Sequence, residues 1–409
     1  MIRSLKVKLY PNREQEILMR KSCGTARYVY NWGLGMNKIA YELCGKNINV
    51  YTLKKLIKVS KSKGRMLSWI SEVSADVVYQ ALLDLDKAYT TFYNNIKKGI
   101  PFADAGFPNF KKKSKSKWSF FHDNRKLKIK DKKVYLEKIG WVKMKDHKRL
   151  PIGDYKKDKI KVSNVRISYD NRNWLLTLGV DQEEQSLELT GESLGIDLGV
   201  KDLAICSNGM NFKNINKSKE VKRLEKKLKR EQGKLSRKRE DNMVDKVYYK
   251  TGDKKGQLKS FKYIRPLYEC KNYQKQKEKV SLLHLKLSHI RENHLHQATI
   301  KIVKTKPSKI VLEDLNVKGM MKNKHLSKVI ANQGWYEFRR LLEYKTKFYL
   351  GYEVTIADRF YPSSKTCSCC GHIKTDLRLK ERTYICLDCG LTIDRDLNAS
   401  INLANYKLA

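Results

Sequence analysis

Four cysteines near the C-terminus have the spacing of a metal site. Cys367 and Cys370 form one C-x-x-C pair, Cys386 and Cys389 form another, and fifteen residues separate the two pairs. This spacing is typical of zinc ribbons and treble clefs. Four thiolates close a tetrahedral shell around Zn²⁺, so we expect one structural ion and no catalysis at this site. Two disulfides are the alternative, and Cys369 is predicted to be a bystander of the first pair.

Three carboxylates that are far apart in the chain form a second candidate set. Asp197 lies on an apolar strand signal that turns back at a glycine, Glu313 ends a later strand signal, and Asp396 stands at the predicted start of the last helix. In an RNase H-like sheet these three places meet, and the carboxylates there can hold two Mg²⁺ ions that activate a water and stabilise a leaving oxygen. Asp394 is the rival for the third position, and it alternatively caps the last helix.

The charge of the chain indicates a polyanionic partner. Its 409 residues include 87 Lys and Arg against 43 Asp and Glu, a formal net charge of +44. This excess predicts a nucleic-acid partner, because counterions released from phosphates drive the binding of basic proteins. The length predicts two to four domains. We find no apolar run of about 18 residues, which predicts no association with a membrane. The odd cysteine count predicts reduced thiols in a cytoplasm.

Hydrophobic periodicity predicts the elements that position these residues. In the first half, residues 1–13 form a strand, residues 14–100 form helices, and strand signals at 134–144 and a hairpin at 160–180 complete a small β-barrel with the first strand. The loop at 106–118 mixes lysines with aromatic residues, a composition that suits phosphate contacts and base stacking. A solvated linker is the alternative for this loop.

From about residue 190 the pattern changes to that of a mixed sheet with long helices. The predicted elements are strands at 194–198, 202–207 and 309–312, a helix at 331–349, a strand at 352–357 and a last helix that starts near Asp396. A basic helix at 217–240 is expected to pair through an apolar seam with a helix at 271–305. The polar segment at 241–263 between these two helices is predicted to be an exposed excursion.

Motifs along nearly the whole chain resemble those of TnpB, the family of transposon-encoded, RNA-guided DNA nucleases related to the type V CRISPR effectors. The motifs are Leu9-Tyr-Pro-Asn, Ala26-Arg-Tyr-Val-Tyr-Asn, Gly106-Phe-Pro-Asn-Phe-Lys, Gly195-Ile-Asp-Leu-Gly-Val-Lys-Asp, Val311-Leu-Glu-Asp-Leu-Asn-Val, Tyr361-Pro-Ser-Ser-Lys-Thr-Cys-Ser-Cys-Cys-Gly and Asp394-Arg-Asp-Leu-Asn-Ala-Ser-Ile-Asn.

The resemblance implies a multidomain α+β fold. Its parts are an N-terminal wedge β-barrel (1–13 and 106–189), a helical recognition lobe that interrupts it (14–105), an RNase H-like (RuvC) α/β nuclease domain (190–362 and 392–409), and a zinc-ribbon insert (363–391). It also implies that Asp197, Glu313 and Asp396 are the Mg²⁺ ligands, with Asp396 as the second Asp of the Asp-Arg-Asp motif.

The resemblance further implies an RNA-guided, Mg²⁺-dependent endonuclease that cleaves double-stranded DNA beside a short flanking motif. Its expected partners are a guide RNA from the transposon end and the target DNA, with one protein per guide RNA, acting on the prokaryotic nucleoid. By analogy with the family, Tyr51, Tyr79 and Gln80 are expected to face the flanking motif. The other candidate nucleic-acid contacts are the lysines of the basic loop, Lys111, Lys112 and Lys113.

Two other functions are kept as alternatives. One is a nuclease-silent, RNA-guided DNA-binding repressor or an accessory transposition protein, since members of this family can lose their carboxylates, although all three are present here. The other is a transposase that joins DNA itself, which needs a nucleophilic Tyr near metal-binding His residues. His294 and His296 lie in a predicted basic helix, where packing or RNA contact is expected instead.

Overall fold

The computed structural model describes residues 1–62, 64–145, 150, 161–184, 187–249, 251, 256–378 and 381–407. The chain divides into two compact units, Met1–Gln182 and Glu183–Ala409. The parts of the predicted domains and of the 241–263 segment that fall between the described ranges lie outside the described residues, as does the first residue of the hairpin predicted at 160–180.

The α-helices are α1 (Arg13–Cys44), α2 (Val50–Ser60), α3 (Ala75–Lys97), α4 (Lys219–Glu240), α5 (Lys271–Lys304), α6 (Val317–Met320), α7 (Ser327–Gln333), α8 (Trp335–Leu350) and α9 (Arg395–Ala404). The strands are β1 (Ile2–Tyr10), β2 (Trp118–Phe121), β3 (Lys128–Lys130), β4 (Lys133–Leu136), β5 (Gly140–Lys145), β6 (Val162–Tyr169), β7 (Trp174–Asp181), β8 (Thr190–Leu198), β9 (Asp202–Cys206), β10 (Asn211–Lys213), β11 (Met243–Tyr248), β12 (Leu258–Tyr263), β13 (Pro307–Leu312), β14 (Thr355–Ile356), β15 (Thr383–Ile385) and β16 (Thr392–Asp394).

The first unit is built on a seven-stranded antiparallel sheet with the order β2-β6-β7-β1-β5-β4-β3. β1 is central, because it pairs with β7 from Ile2 opposite Asp181 to Leu9 opposite Trp174 and with β5 at its end. The sheet curls around one apolar core, to which its strands and the helices α2 and α3 all contribute. Fully buried members of this core are Val134, Leu136, Ile167, Leu176, Ile57, Val78 and Leu82.

The junction between β1 and α1 follows directly from the sequence. Pro11 lacks the N–H that would extend the strand ladder. Asn12 then caps the helix: its Oδ1 accepts the N–H of Gln15 at 2.8 Å, and Gln15 Oε1 accepts the N–H of Asn12 at 3.0 Å. This reciprocal capping box satisfies two N–H groups that a helix start leaves open, so the Leu-Tyr-Pro-Asn motif ends the strand and begins the helix.

The second unit is built on a five-stranded sheet with the order β10-β9-β8-β13-β14. β8, β9 and β10 are antiparallel neighbours, whereas β13 and β14 run parallel to β8. Buried residues of β8 and β13, such as Ile196 and Leu312, share an apolar core with α5 and α8. This is the strand arrangement of an RNase H-like domain, and the mixed multidomain fold class predicted from the sequence is confirmed.

The two long helices α4 and α5 pack along the predicted seam, in which Val221, Leu224 and Leu287 are buried. The segment between them contains an antiparallel hairpin, β11 with β12, that its polar composition does not predict. Apolar residues occur in both strands, but they do not alternate regularly with polar ones, so the sequence shows no buried face there. No helix among the described residues is long and apolar enough to cross a bilayer.

Three other predicted elements are interrupted or shorter. The stretch at 134–144 is the hairpin of β4 and β5, since the backbone turns with positive φ angles of 66° at Lys138 and 86° at Gly140, the first residue of β5. The helix at 331–349 is broken into α7 and α8 at Gly334, whose backbone is left-handed. Of the strand at 352–357, only Thr355–Ile356 pairs, because β14 is a short edge strand.

The backbone of α9 lies directly against β8 at Gly195. A Cβ added at Gly195 would lie 2.0 Å from the carbonyl oxygen of Ser400 and 2.3 Å from the nitrogen of Ala404. Ser193 Oγ donates to the carbonyl of Ala404 at 2.8 Å and holds the end of the same helix. The first glycine of the Gly-Ile-Asp-Leu-Gly motif therefore allows the close approach that fixes the position of α9.

We expect Gly195→Ala to push α9 away from β8 and to destabilise the second unit by about 3 kcal/mol, since backbone atoms cannot yield as flexible side chains do. Gly191→Ala is the matched control on the same strand, because nothing lies within 4 Å of its added Cβ. The control should change the free energy of unfolding by less than about 0.5 kcal/mol. Urea unfolding of both variants measures the difference, and equal midpoints would contradict the close contact.

Candidate active site and zinc centre

Asp197 and Glu313 end neighbouring parallel strands, and the register brings them side by side. Ile196 of β8 is paired with Leu312 of β13, and each carboxylate comes one residue later. Since paired strands lie about 4.8 Å apart, the two acids are neighbours at one edge of the sheet. The N–H of Leu198 donates to Glu313 Oε1 at 3.0 Å, which fixes the orientation of the glutamate.

Asp396 reaches the same place from the last helix. Asp394 ends β16 and caps α9, because its Oδ1 accepts the N–H groups of Asp396 at 3.0 Å and of Leu397 at 3.1 Å. Asp396 therefore lies in the first turn of α9, where its charge acts on both Asp197 and Glu313. Of the two acids in the Asp-Arg-Asp sequence, the first caps the helix and the second acts more strongly on Asp197.

The three carboxyl groups are partly buried and repel one another, which raises their pKa values. Burial raises the pKa of Asp197 well above its usual range, and the charges of Glu313 and Asp396 raise it further. Burial raises the pKa of Glu313 to about 7, against the effect of the Leu198 N–H and with a contribution from Asp396. Burial and the charge of Asp394 raise the pKa of Asp396. A cation among these acids would relieve their repulsion.

These carboxylates fit a site for hard divalent cations. Their oxygens are the ligand type that Mg²⁺ prefers, and the accumulated negative charge is what such an ion would neutralise. Within the described part of the chain, only the thiol cluster below has all its ligand atoms within 4.8 Å of one another.

The four predicted cysteine ligands come together in one cluster. Their Sγ atoms all lie within 4.8 Å of one another. Cys367 and Cys389 are separated by 3.6 Å, and Cys370 and Cys386 by 3.5 Å. A tetrahedron with Zn–S bonds of about 2.3 Å has edges of about 3.8 Å, so the cluster has the size of a four-cysteine zinc shell. Cys369 is exposed, and all nine cysteines are free thiols.

Two tight turns present the thiols. Gly371 and Gly390 follow the second cysteine of each pair with φ angles of 79° and 72°, a left-handed conformation that residues with a Cβ rarely adopt. In the second turn, backbone N–H groups of Cys389 and Asp388 point at the sulfur of Cys386 and lower the pKa of its thiol to about 6. This sulfur is therefore held in a setting that favours the thiolate, which is the form that binds metal.

Two buried asparagines, which the sequence analysis did not single out, fasten the ribbon to α9. Asn398 Oδ1 accepts the N–H of Ser368 at 3.0 Å, and its Nδ2 donates to the carbonyl of Thr366 at 2.7 Å. One turn later, Asn402 donates to the carbonyls of Ser363 at 2.7 Å and of Thr366 at 2.6 Å. The signal in the sequence is the spacing of four residues, which places both amides on one face of the helix.

The aromatic candidates for nucleic-acid contact lie on two helices of the first unit. Tyr51 of α2 is 73% exposed. Lys54 lies between it and Tyr79 of α3, with its Nζ 5.4 and 5.9 Å from the two ring centroids. These three residues form one aromatic and basic patch. Gln80 is engaged internally, because its Nε2 donates to Asp84 Oδ1 at 3.0 Å.

The three candidate lysines of the basic loop differ in their surroundings. The Nζ of Lys111 lies 3.5 Å from the centroid of the Tyr30 ring, and burial lowers the pKa of this lysine. Its backbone N–H also donates to Asn31 Oδ1 at 2.7 Å. Lys112 and Lys113 are exposed. Lys111 thus has a structural contact, whereas the two lysines after it are open to a ligand.

The histidines that a strand-joining transposase would need do not form a metal cluster in the described residues. His294 Nε2 lies 2.9 Å from the carbonyl oxygen of Lys213. Burial lowers the pKa of both His294 and His296, so both rings favour the neutral form. His294 therefore has a backbone contact within the protein, and both rings are half-buried on α5.

Three family models match the chain. A helix-turn-helix domain model of OrfB_IS605 matches residues 1–46, the OrfB_IS605 model described as a probable transposase matches residues 177–324, and the Cas12f1-like TNB domain model matches residues 335–403. The second segment includes Asp197 and Glu313, and the third includes the four clustered cysteines and Asp396. Together these segments cover more than half of the chain.

Relatives extend the match to the full length. InsQ of Escherichia coli strain K12, which bears the name of an RNA-guided DNA endonuclease, is 27% identical over 98% of this chain and 91% of its own. A Streptomyces pristinaespiralis protein of the same designation is 28% identical over 100% and 90%. TnpB-like protein L79 of Acanthamoeba polyphaga mimivirus is 25% identical over 100% and 74%. The chain belongs to the TnpB family.

Among solved structures, this TnpB-family chain is similar to the protein of a Cas12f1–sgRNA–target DNA complex. The TM-score is 0.51 at 16% identity, and 99% of each chain is covered. At this identity the likeness is one of fold. The family models and the full-length relatives confirm the family resemblance drawn from the motifs.

Charge crowding at Glu313 predicts a stability that depends on pH. Its folded-state pKa of about 7 lies above that of an unfolded glutamate, so without divalent cations the second unit loses stability as the pH rises from about 4.5 to about 7. We expect Glu313→Gln to flatten this dependence and to raise the free energy of unfolding at pH values near 8 by up to about 3 kcal/mol. Thermal unfolding at pH values of about 5 and about 8 measures both effects.

Glu353→Gln is the control for this prediction, because it removes the same charge at a side chain that is 81% exposed. It should leave both the stability and its pH dependence nearly unchanged. Equal stability of Glu313→Gln and the parent in the alkaline range would contradict the crowding.

The thiol cluster predicts a metal-dependent ribbon. We expect Cys386→Ser to lose the bound zinc and to expose the ribbon to protease, since a structural zinc contributes on the order of 10 kcal/mol to the folding of such a module. Cys369→Ser is the matched control, because that exposed thiol neighbours the cluster without belonging to it. Metal analysis and limited proteolysis of both variants provide the readout. Loss of zinc in the Cys369 variant, or its retention in the Cys386 variant, would show that the ligand set is wrong.

Proposed function

We propose that this protein is an RNA-guided, Mg²⁺-dependent DNA endonuclease of a transposable element, which cleaves double-stranded DNA beside a short flanking motif. The observation that carries the proposal is the convergence of Asp197, Glu313 and Asp396 from two strand ends and a helix start. Three crowded carboxylates on an RNase H-like sheet serve phosphodiester hydrolysis better than they serve binding alone, because they would repel phosphates without cations.

We assign Asp197, Glu313 and Asp396 as the Mg²⁺ ligands and expect two ions. When bound, such ions activate a water and stabilise the oxygen that leaves. The contribution of the chain is to hold the carboxylates in place beforehand, through the register of the parallel strands, the N–H of Leu198 and the capped first turn of α9. Preorganised charge of this kind lowers the cost of reaching the transition state.

The partners that we assign are a guide RNA from the transposon end and the target DNA, with one protein per guide RNA. The net charge of +44 supports a polyanionic partner. The names of the E. coli and Streptomyces relatives support RNA guidance and DNA as target, and the sgRNA and target DNA of the Cas12f1 complex agree with both. In such a complex base pairing reads most of the target, and the protein reads only the flanking motif.

We assign the wedge barrel to 1–13 and 106–189, the recognition lobe to 14–105, the nuclease domain to 190–362 and 392–409, and the zinc insert to 363–391. Tyr51, Tyr79, Lys112 and Lys113 are the candidate residues whose surroundings leave them available to nucleic acid, while Gln80 and Lys111 have internal partners that would have to yield. Nine free thiols agree with action in a reducing prokaryotic cytoplasm, where the nucleoid is accessible.

A nuclease-silent repressor or an accessory transposition protein is the second candidate function. The three intact carboxylates speak against it, since a binder without chemistry gains nothing from burying acids that repel one another. Strong guided binding of DNA in the complete absence of strand scission would favour this candidate.

The proposal predicts guided cleavage. A complex of the protein with a programmed guide RNA should cut a matched duplex that carries the flanking motif in Mg²⁺, and should leave a mismatched duplex intact. Asp197→Ala should slow the cutting by roughly 1,000-fold or more, because one of the ion ligands is lost. The absence of cutting by the parent complex, or equal cutting by the variant, would overturn the nuclease proposal.

A paired substitution in the Asp-Arg-Asp sequence refines the same experiment. Asp394→Asn should retain most activity, because asparagine caps a helix as well as aspartate does. Asp396→Asn should lose activity as Asp197→Ala does, although the helix cap is intact. The opposite ranking of the two variants would exchange their roles.

A further inference from the structure

The C-terminal edge of the parallel strands presents two aromatic side chains that are largely exposed. In open α/β sheets, ligands bind in the crevice outside the carboxyl ends of the strands. Phe360 follows β14 at this edge and is 87% exposed, and Tyr336 in the first turn of α8 is 76% exposed. α8 runs back from this edge, because it leads from β13 to β14, which are parallel. Both aromatic side chains therefore stand at the end of the sheet that carries Asp197 and Glu313.

The loop that carries Phe360 is held by hydrogen bonds. The N–H of Ala357 donates to the carbonyl of Leu312 at 2.8 Å, which places Ala357 beside the end of β13. The N–H of Phe360 donates to Asp358 Oδ1 at 2.8 Å. Tyr361 donates its hydroxyl to the carbonyl of Asn402 in α9 at 3.1 Å. The exposed ring of Phe360 thus belongs to a loop that is hydrogen-bonded both to β13, which ends just before Glu313, and to α9, which contains Asp396.

Asp314, the residue after Glu313, connects α8, which carries Tyr336, to the loop that carries Phe360. Its Oδ1 lies 3.8 Å from Arg339 Nη1, and its Oδ2 accepts a hydrogen bond from Arg359 Nη2. Arg339 lies one turn after Tyr336 on the same face of α8, and Arg359 precedes Phe360. This Arg–Asp–Arg bridge fixes the start of α8 and the loop after β14 relative to the adjacent carboxylate.

We propose that Phe360 and Tyr336 are positioning residues that stack on unpaired bases of the DNA strand next to the phosphodiester held at the three carboxylates. This inference rests on the proposed function and adds the contact that aligns the strand. Exposed aromatic side chains with lysines beside them are the composition of single-strand binding surfaces, in which rings take the bases and lysines the phosphates. Exposed lysines of the segment between β13 and α8 are Lys318, Lys322, Lys324 and Lys328.

A solution experiment tests the stacking without requiring a guide or cleavage. Single-stranded DNA with 2-aminopurine at one position is titrated with the Asp197→Asn protein, and stacking is read as quenching of the fluorescence. Moderately high salt suppresses phosphate contacts elsewhere on this basic chain. We expect Phe360→Ala and Tyr336→Ala each to weaken the quenching complex roughly 5- to 100-fold, and Phe360→Tyr and Tyr336→Phe to retain it, because any aromatic ring can stack.

Tyr268→Ala is the matched control, since its side chain is as exposed as that of Tyr336 and lies outside the sheet edge. Its quenching should equal that of the parent. Unchanged quenching in both alanine variants, or an equal loss in the Tyr268 variant, overturns the proposal. A loss in both the alanine and the aromatic-retaining variants also overturns it, because the role would then be structural.

The guided cleavage assay separates this inference from the proposed function. If the parent complex cuts and Phe360→Ala binds the duplex normally but cuts more slowly, stacking serves the reaction. If the parent complex does not cut but the quenching is lost only in the alanine variants, the stacking surface stands and the nuclease proposal falls.

Discussion

The contact of α9 with β8 at Gly195 is the constraint on which the second unit depends. Two of the three carboxylates are set by strand register, which is a local property of the sheet. The third comes from a helix almost two hundred residues later, and its position is only as accurate as the packing of that helix. Because Gly195 has no side chain, the backbones of β8 and α9 touch. The position of the helix is therefore fixed by contacts between backbone atoms, which move little in a packed interior. Ser193 adds a hydrogen bond to the far end of the helix.

The ribbon with the four clustered cysteines is directly connected to the helix that carries Asp396. β16 of the ribbon runs without a loop into α9, and Asp394 is both the last residue of the strand and the cap of the helix. Asn398 and Asn402 bind the helix back to the first cysteine turn. A four-thiolate site makes a small ribbon rigid where an apolar core of a few residues could not. The ribbon therefore fixes the direction in which α9 starts, and with it the first-turn aspartate.

Much of this arrangement could be predicted from the sequence because it follows from local rules. Strands that run parallel end at one edge, so acids that follow Ile196 and Leu312 are expected to meet. The spacing of the cysteines alone predicts that the four thiols cluster. The role of Gly195 was hidden, because a glycine that permits contact with residues two hundred positions away has no local signature. Composition alone makes Lys111 a candidate nucleic-acid contact, and no local pattern shows that its charge lies over the Tyr30 ring.

The direct passage from β16 into α9 limits how this protein can vary in length during evolution. One residue inserted between Asp394 and Asp396 would turn the rest of the helix by about 100°. The face of α9 that contacts Gly195 would then no longer meet β8. Insertions between the two cysteine pairs are free of this restriction, because a longer loop there does not change the rotation of α9 about its axis. Length changes in related sequences should therefore collect at the distal end of the ribbon, and the short stretch from Cys389 to Asp396 should keep a constant count of residues.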